Sequence, residues 1–315
     1  MYILSLSNGQ SWGIPSAGET RRWADEFARL LGLPESQGRP DCVIRLEGFP
    51  QASGAGGGGF GVPPLGCSGQ GWRALMFPLL EIWCREGFRE NVCRLRGTDD
   101  PRRIREQMRH ALIPLYQSAL CRGGLPLHAA LVERDGRGML LIGKSGAGKS
   151  TACRRLPPGW TVLGDDLALA MRNREEKFVV HPLPTWSRVG SGSRDEKWDI
   201  QHSVELSAIF FLAQAAHDEV LPAGSAAAAV MLAHAAETIF NSVRTTECAF
   251  GAPSLKGEIF ANAADMARSI PAYILRLSLT GLFWETIEQV LEPVETRDRE
   301  AEKFSGIPKE NDGPR

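Results

Sequence analysis

Residues 143–150 read Gly-Lys-Ser-Gly-Ala-Gly-Lys-Ser and fit the pattern G-x-x-x-x-G-K-[ST] at every fixed position. No other stretch of the chain restricts its fold as tightly. Glycines let such a loop curl so that its backbone N–H groups point inward at phosphate oxygens. The helix that follows adds unpaired N–H groups of its own. In this pattern Lys149 reaches the β- and γ-phosphates, and the Ser150 hydroxyl holds Mg²⁺. Gly143, Lys144, Ser145, Gly146, Ala147, Gly148 and Thr151 complete the expected nucleotide-binding set. The context agrees with the motif: apolar residues 139–142 read as a strand leading in, and residues 149–156 read as a helix that Pro157-Pro158 stops. The expectation is an α/β domain that binds ATP with Mg²⁺.

A phosphate-binding loop is shared by ATPases, GTPases and kinases, so the chemistry has to come from elsewhere. Asp165-Asp166 follow the apolar strand 160–163. If that strand belongs to an open parallel sheet, both carboxylates stand at the edge where ligands bind. One could join the Mg²⁺ shell and the other could take a proton from an attacking hydroxyl. Two adjacent carboxylates also raise one another's pKa, which suits a base. A plain hydrated turn is the competing reading, because Gly-Asp-Asp is good turn chemistry.

Elsewhere the chain alternates strand and helix signals. Residues 2–6 and 10–14 flank Asn8-Gly9, a hairpin signal. Residues 18–32 have helical spacing and end at Gly32, and residues 42–46 read as a strand. The glycine-rich run 50–71 reads as a flexible linker. Residues 74–84 and 91–96 read as paired strands, and 99–121 as one helix capped by Asp99 or Asp100 with Pro101 in its first turn. Residues 127–133 and 138–142 read as strands around Asp135-Gly136. Beyond the Asp-Asp turn, 167–171, 178–180 and 206–212 read as strands, His181 to Ser187 as a proline-stiffened loop, and 224–242, 257–269 and 281–291 as helices. The domain division expected is 1–98, a strand-rich α+β region; 99–295, the phosphate-loop domain; and 296–315, a charged disordered tail.

Composition narrows the setting. The formal net charge of −1 gives no global field toward nucleic acid or an anionic membrane. The apolar windows at 206–216 and 226–236 are too short to span a bilayer. Seven cysteines without C-x-x-C spacing argue against a disulfide framework or zinc ribbon and for a reducing, cytoplasmic setting.

The block from Leu127-His128 through Lys149-Ser150-Thr151, with Gly164-Asp165-Asp166, resembles the catalytic domain of bacterial HPr kinase/phosphorylase. The resemblance covers residues 127–170. It implies a phosphate-loop domain of the HPr kinase and phosphoenolpyruvate carboxykinase type, which phosphorylates a serine hydroxyl from ATP. It also implies Asp165 as base and metal-binding residue, Asp166 as its assistant, and His128 near the reacting phosphate. HPr kinases form hexamers, which leaves room for a homo-oligomer. The sequence departs from that family at Lys144, where an acidic residue is usual. The block His181-Pro-Leu-Pro-Thr-Trp-Ser187 and the ending Gly281-Leu-Phe-Trp-Glu285 are similar to the SynChlorMet cassette protein ScmC family. That likeness implies a ribosomally made peptide with an acceptor serine. A phosphate-loop ATPase, or a nucleotide-binding accessory protein of such a cassette, is the alternative.

Further candidates have structural readings beside them. His181 contacts substrate or fills a core position. Trp186 and Ser187 wall a groove or pack. Arg188, Arg194 and Lys197 bring a cation to the γ-phosphate or sit in solvent. Arg154 and Arg155 are expected on an exposed helix face.

Overall fold

A computed structural model of the chain describes residues 1–49, 61–186, 198–240 and 254–291. The chain begins with β1 (Tyr2–Ser5) and β2 (Ser11–Ile14), an antiparallel pair closed through Asn8-Gly9, with Gly9 at φ +84°. Helix α1 (Arg21–Leu30) turns Ala24, Phe27, Ala28 and Leu30 inward and stops at Gly32, φ +65°. Then come β3 (Cys42–Gly48), β4 (Trp72–Met76), β5 (Leu80–Arg85) and β6 (Glu90–Leu95). They complete a six-stranded sheet in the order β1-β2-β3-β6-β5-β4.

One expectation fails in this region. Residues 74–84 are not one strand but parts of β4 and β5, which turn back at Phe77-Pro78, where the Phe77 N–H donates to Leu80 O at 2.9 Å. Apolar alternation continues through that turn and hides it. The glycine-rich run lies within the 1–98 region, as expected: β3 before it and β4 after it share one sheet. Residues 50–60 of it lie outside the described residues. Residues 61–71 are held to the sheet: Arg94 donates to Val62 O at 2.7 Å, and Cys67 is buried against Trp83 and Val92.

Asp100 caps α2 (Pro101–Ala111), accepting from the Arg102 N–H. The expected single helix breaks at Leu112, and α3 (Ile113–Leu120) starts anew with Pro114 in its first turn, since proline offers no N–H to the preceding turn. Every residue of α3 is buried, and it touches both β7 and the turn 86–88 of the first sheet.

The second sheet is built from β7 (Leu125–Leu127), β8 (Ala129–Arg134), β9 (Arg137–Ile142), β10 (Thr161–Gly164), β11 (Leu167–Arg172), β12 (Phe178–Leu183), β13 (Val204–Gln214), β14 (Glu219–Pro222) and β15 (Ala272–Leu277). Its helices are α4 (Lys149–Arg155), α5 (Ser225–Phe240), α6 (Leu255–Ser269) and α7 (Phe283–Leu291). The main order is β10-β8-β9-β13-β12-β11-β7, and β15 joins β13 with β14 beyond it. Asp135 (φ +50°) and Gly136 (φ +75°) make the tight β8–β9 turn.

The sheet is mixed rather than parallel. β13 runs parallel to β9 and to β15, and the remaining pairs are antiparallel. Strand β12 extends through His181 and Pro182 into what reads as loop. Pro182 is tolerated because β13 pairs β12 only at Val179 and Val180. Strands β14 and β15 have no counterpart in the sequence reading. Residues 296–315 lie outside the described residues.

Side chains alternate between the two faces of this sheet. Ala130, Val132, Met139 and Leu141 pack against α4 and α7. Ala129, Leu131, Leu140 and Ile142 join a larger core that continues through α3, α5 and α6 into the first sheet, down to Leu4, Trp12 and Phe27. The regions 1–98 and 99–291 thus have separate sheets and a shared core. Polar links tie them as well: Trp198 N–H donates to Leu30 O at 2.9 Å, and buried His181 meets Ser7. Arg155 is not on a free face; it donates to Ser278 O at 2.7 Å and lies over the Phe283 ring.

Candidate active site

The site forms where a long antiparallel ribbon kinks. β8 pairs β10, ending with Leu131 opposite Gly164; β7 pairs β11, beginning with Leu127 opposite Ala168. The same register continues across the break, so both chains step from one pair to the other together. His128 stands in the gap of one chain, and Asp165 and Asp166 stand in the gap of the other. Their backbones leave the ladder there, which frees the side chains from the in–out alternation of a strand. Asp165 and Asp166 follow the end of β10, as expected, but β10 is antiparallel to β8, so they stand at a kink in a ribbon rather than at the edge of a parallel sheet.

The glycine loop comes to the kink from β9. Ala147 N–H donates to Lys144 O at 3.0 Å, and Gln214, at the end of β13, donates to Gly146 O at 2.9 Å. Gly146 (φ +81°) and Gly148 (φ +105°) hold conformations that L side chains rarely adopt, and a side chain added to either would meet nothing within 4 Å. A Cβ on Gly143 would come 2.7 Å from that of Ala147. The loop is thus a tight curl with open space over Gly146 and Gly148.

Lys149 opens α4 and is 7% exposed. Its ammonium donates to Gly143 O at 2.6 Å and to His128 Nε2 at 3.0 Å. An ammonium has no acceptor, so Nε2 must accept and the His128 proton sits on Nδ1. Nδ1 lies 3.2 Å from Asp166 Oδ1. The result is an unbroken chain from the loop lysine through imidazole to carboxylate. Burial lowers the Lys149 pKa, while the charges of Asp166 and Asp165 oppose that fall.

The two aspartates are placed differently. Asp165 is 4% exposed and accepts from the Thr185 hydroxyl at 2.6 Å. Asp166 keeps 29% of its side chain exposed and lines a cavity of about 1040 Å³ together with His128, Gly143, Lys144 and Ser145. Ser150 is half-buried at the start of α4, and Thr151 accepts from Arg154 at 3.3 Å. Serine hydroxyl and carboxylate are hard oxygen donors, the set that suits Mg²⁺ shared with phosphate oxygens.

His181 is not part of this group. It is 1% exposed, bonded to Ile200 O at 2.7 Å and to Ser7. Burial drops its pKa to about 4, which keeps it a neutral packing residue. Trp186 lines the cavity and is buried. Ser187, Arg188, Arg194 and Lys197 lie outside the described residues. Sequence reading missed Thr185, Tyr116, His110 and Gln214. None carries a local motif, and each reaches the site only through the folding of a distant element.

The profile of the SynChlorMet cassette protein ScmC family matches residues 91–292, which takes in the whole second sheet, the glycine loop and the kinked ribbon. No curated protein matches the chain. Among the described residues no helix is long and apolar enough to cross a membrane. With the match covering well over half its length, the chain belongs to the SynChlorMet cassette protein ScmC family.

Proposed function

We propose that this protein is an ATP-dependent kinase of the HPr kinase-like type, which transfers the γ-phosphoryl group to a serine hydroxyl of a peptide or protein. The observation that carries this reading is the Lys149–His128–Asp166 chain. It joins a lysine whose motif places it at the terminal phosphates to a carboxylate that faces open space. A pure nucleotide-binding module has no need of that carboxylate.

In this reading the curl 143–148 encloses the phosphates, and Lys149 swings from Gly143 O onto the β- and γ-oxygens. Mg²⁺ would screen phosphate charge, with Ser150 and Asp165 as its protein ligands. The acceptor oxygen forms a bond to the γ-phosphorus as the bond to the ADP oxygen breaks, and its proton passes to a carboxylate. The sequence assigned that proton to Asp165. Burial and the Thr185 hydrogen bond make Asp165 the anchored member of the pair, so the reading assigns the base to Asp166. His128 orients Asp166 and couples it to Lys149.

Incubation with γ-labelled ATP and serine peptides tests this. Asp166→Asn should cut transfer by about 10²–10⁴-fold, the usual worth of a positioned base, and leave ATP binding nearly unchanged. Lys149→Met should remove both. Release of labelled phosphate with no labelled acceptor would favour an ATPase instead. Undiminished transfer by Asp166→Asn would take Asp166 out of the chemistry.

A further inference from the structure

A second cavity, of about 1130 Å³, lies between the β1–β2 turn, the start of β3 and the turn from β5 to β6. Five arginines line it against three carboxylates, in a chain whose formal net charge is −1. Two of the acids are already engaged. Asp41 accepts from the Ser11 N–H at 2.9 Å and from the Ser11 hydroxyl at 2.7 Å. Glu90 is shared by Arg45 at 3.4 Å and Arg85 at 3.7 Å. The other three arginines, Arg39, Arg89 and Arg122, are exposed and form no ion pair among the described residues.

These guanidiniums come from distant parts of the chain and converge. Burial raises the pKa of the Cys42 thiol in the cavity wall, while a Gln10 hydrogen bond and then the charges of Arg122 and Arg89 oppose that rise. Both cations therefore act on one point of the wall. Arg174 stands at the rim, where bare Gly9 leaves room for it: a Cβ on Gly9 would come 2.5 Å from Arg174 Nε. Like charges gathered without counterions repel one another, and a concave wall focuses their field on what enters. The ligand that relieves this is an anion, and guanidinium forks suit carboxylate oxygens in pairs.

The remaining wall says which anion. Among the described residues none that lines the cavity is aromatic, so nucleic-acid bases have nothing to stack on. Asp41, Glu86 and Glu90 would repel the continuous charge of a polyphosphate. Separate carboxylates on a peptide can seat at the arginines and avoid the acids.

The cavity is also remote from the chemistry. Arg174 follows β11, whereas Asp166 precedes it. Arg122 lies at the same end as Arg174, because β7 begins with Leu125 opposite Ala170. The six residues of β11 span roughly 20 Å at about 3.3 Å each. A chain that reached both places would need no fewer than about six extended residues between them.

We infer that this arginine-lined cavity docks an acidic segment of the peptide substrate, set at least about six residues from the acceptor serine. The inference rests on the kinase reading for the role of the bound segment; the docking itself does not.

The first test uses the full chain without nucleotide and fluorescein-labelled Gly-Glu-Gly-Glu-Gly-Glu, its Gln and Lys counterparts, and an oligothymidylate. Fluorescence anisotropy should show the Glu peptide binding at least about tenfold tighter than the Gln or Lys peptide, with the difference shrinking between about 50 and about 500 mM salt. Arg89→Ala with Arg122→Ala should erase the difference. Arg102→Ala, exposed on α2 outside the cavity, removes a charge and should leave the difference in place. Circular dichroism checks that each variant folds. The second test adds γ-labelled ATP and serine peptides that carry the Glu segment about two or about ten residues from the serine. The longer spacer should lower KM about tenfold relative to a peptide with Gln in place of Glu, at similar kcat, and the shorter should not. The arginine double variant should lose that advantage with ATP affinity unchanged. Equal binding of Glu and Gln peptides, a difference that survives the double variant, or an oligothymidylate bound as tightly as the Glu peptide overturns the inference. A KM advantage that ignores the spacer overturns the placement. Selective binding of the Glu peptide by a protein that transfers phosphate to no serine upholds the docking cavity and removes the kinase reading instead.

Discussion

Adjacent residues of one type meet different fates here. Asp165 and Asp166 are identical in sequence, yet one is buried against Thr185 and the other faces a cavity through His128. Thr185→Val would take a hydroxyl from a buried carboxylate; a loss of about 1.5–3 kcal/mol is expected, read as a lower urea midpoint, because hydrogen bonds to charged groups are worth that much. An unchanged midpoint would show that Thr185 does not support Asp165. The buried histidines make a second prediction. His110 and His181 sit at about 4, whereas an unfolded histidine titrates near 6.5. Between those values the unfolded chain binds more protons, so stability falls as pH drops from about 6.5 toward 4 and is fully present above that range. Each histidine should account for about 3 kcal/mol of the fall, at 1.36 kcal/mol per unit. Urea midpoints at pH 7.5 and 4.5 measure the drop. His181→Asn should shrink it, and a drop of undiminished size would count against His181 as a source.

At the scale of elements, the chain uses breaks as much as regular structure. Pro114 divides α2 from α3 and so lets α3 bury all of its residues, Gln117 and Ser118 among them, between the sheets. The ribbon break at His128 and Asp165-Asp166 keeps its register on both sides, so the gap is a designed step rather than a frayed end. In the first sheet, β5 and β6 carry a buried ion pair, Glu81 to Arg94 at 3.3 Å, with the Trp83 N–H also donating to Glu81. Glu81 is wholly buried, and Arg94 is 4% exposed. Glu81→Leu would strand a buried guanidinium and should cost about 3–5 kcal/mol, whereas replacing both partners with apolar residues should cost far less. A double-mutant cycle by chemical denaturation checks both numbers. Equal costs for the single and double changes would mean the pair is not the source of the penalty.

At the scale of the whole molecule, the described residues form two sheets joined by one shared apolar core, with α3 and His181 spanning the seam and a smaller cluster under α4 and α7. Denaturation should therefore be a single transition, with tryptophan fluorescence and far-ultraviolet circular dichroism coincident. Two separated midpoints would show that the sheets melt independently. Much of this plan was open to sequence reading where the signal is local. The Asp135-Gly136 turn and the Pro157-Pro158 stop depend on backbone preferences of a few neighbouring residues and stand in the structure as read; the first hairpin turns at Asn8-Gly9 with Ser7 as a third loop residue, and of the two cap candidates Asp100 is the one used. Pairing was not legible. Strands β14 and β15 were missed, and His181-Pro182-Leu183 read as loop, because partners decide whether a short apolar run becomes a strand.

What residues 143–151 and 165–166 determined alone was an inventory: a loop that curls, a lysine at its end and two carboxylates nearby in the chain. Only the tertiary structure chose between those carboxylates, joined His128 to Lys149, and gathered His110, Tyr116 and Trp186 around one cavity. The reason is physical. A turn or cap is settled by φ, ψ and hydrogen bonds within a few residues, but burial and access are properties of the packed core, set by elements far apart in the chain.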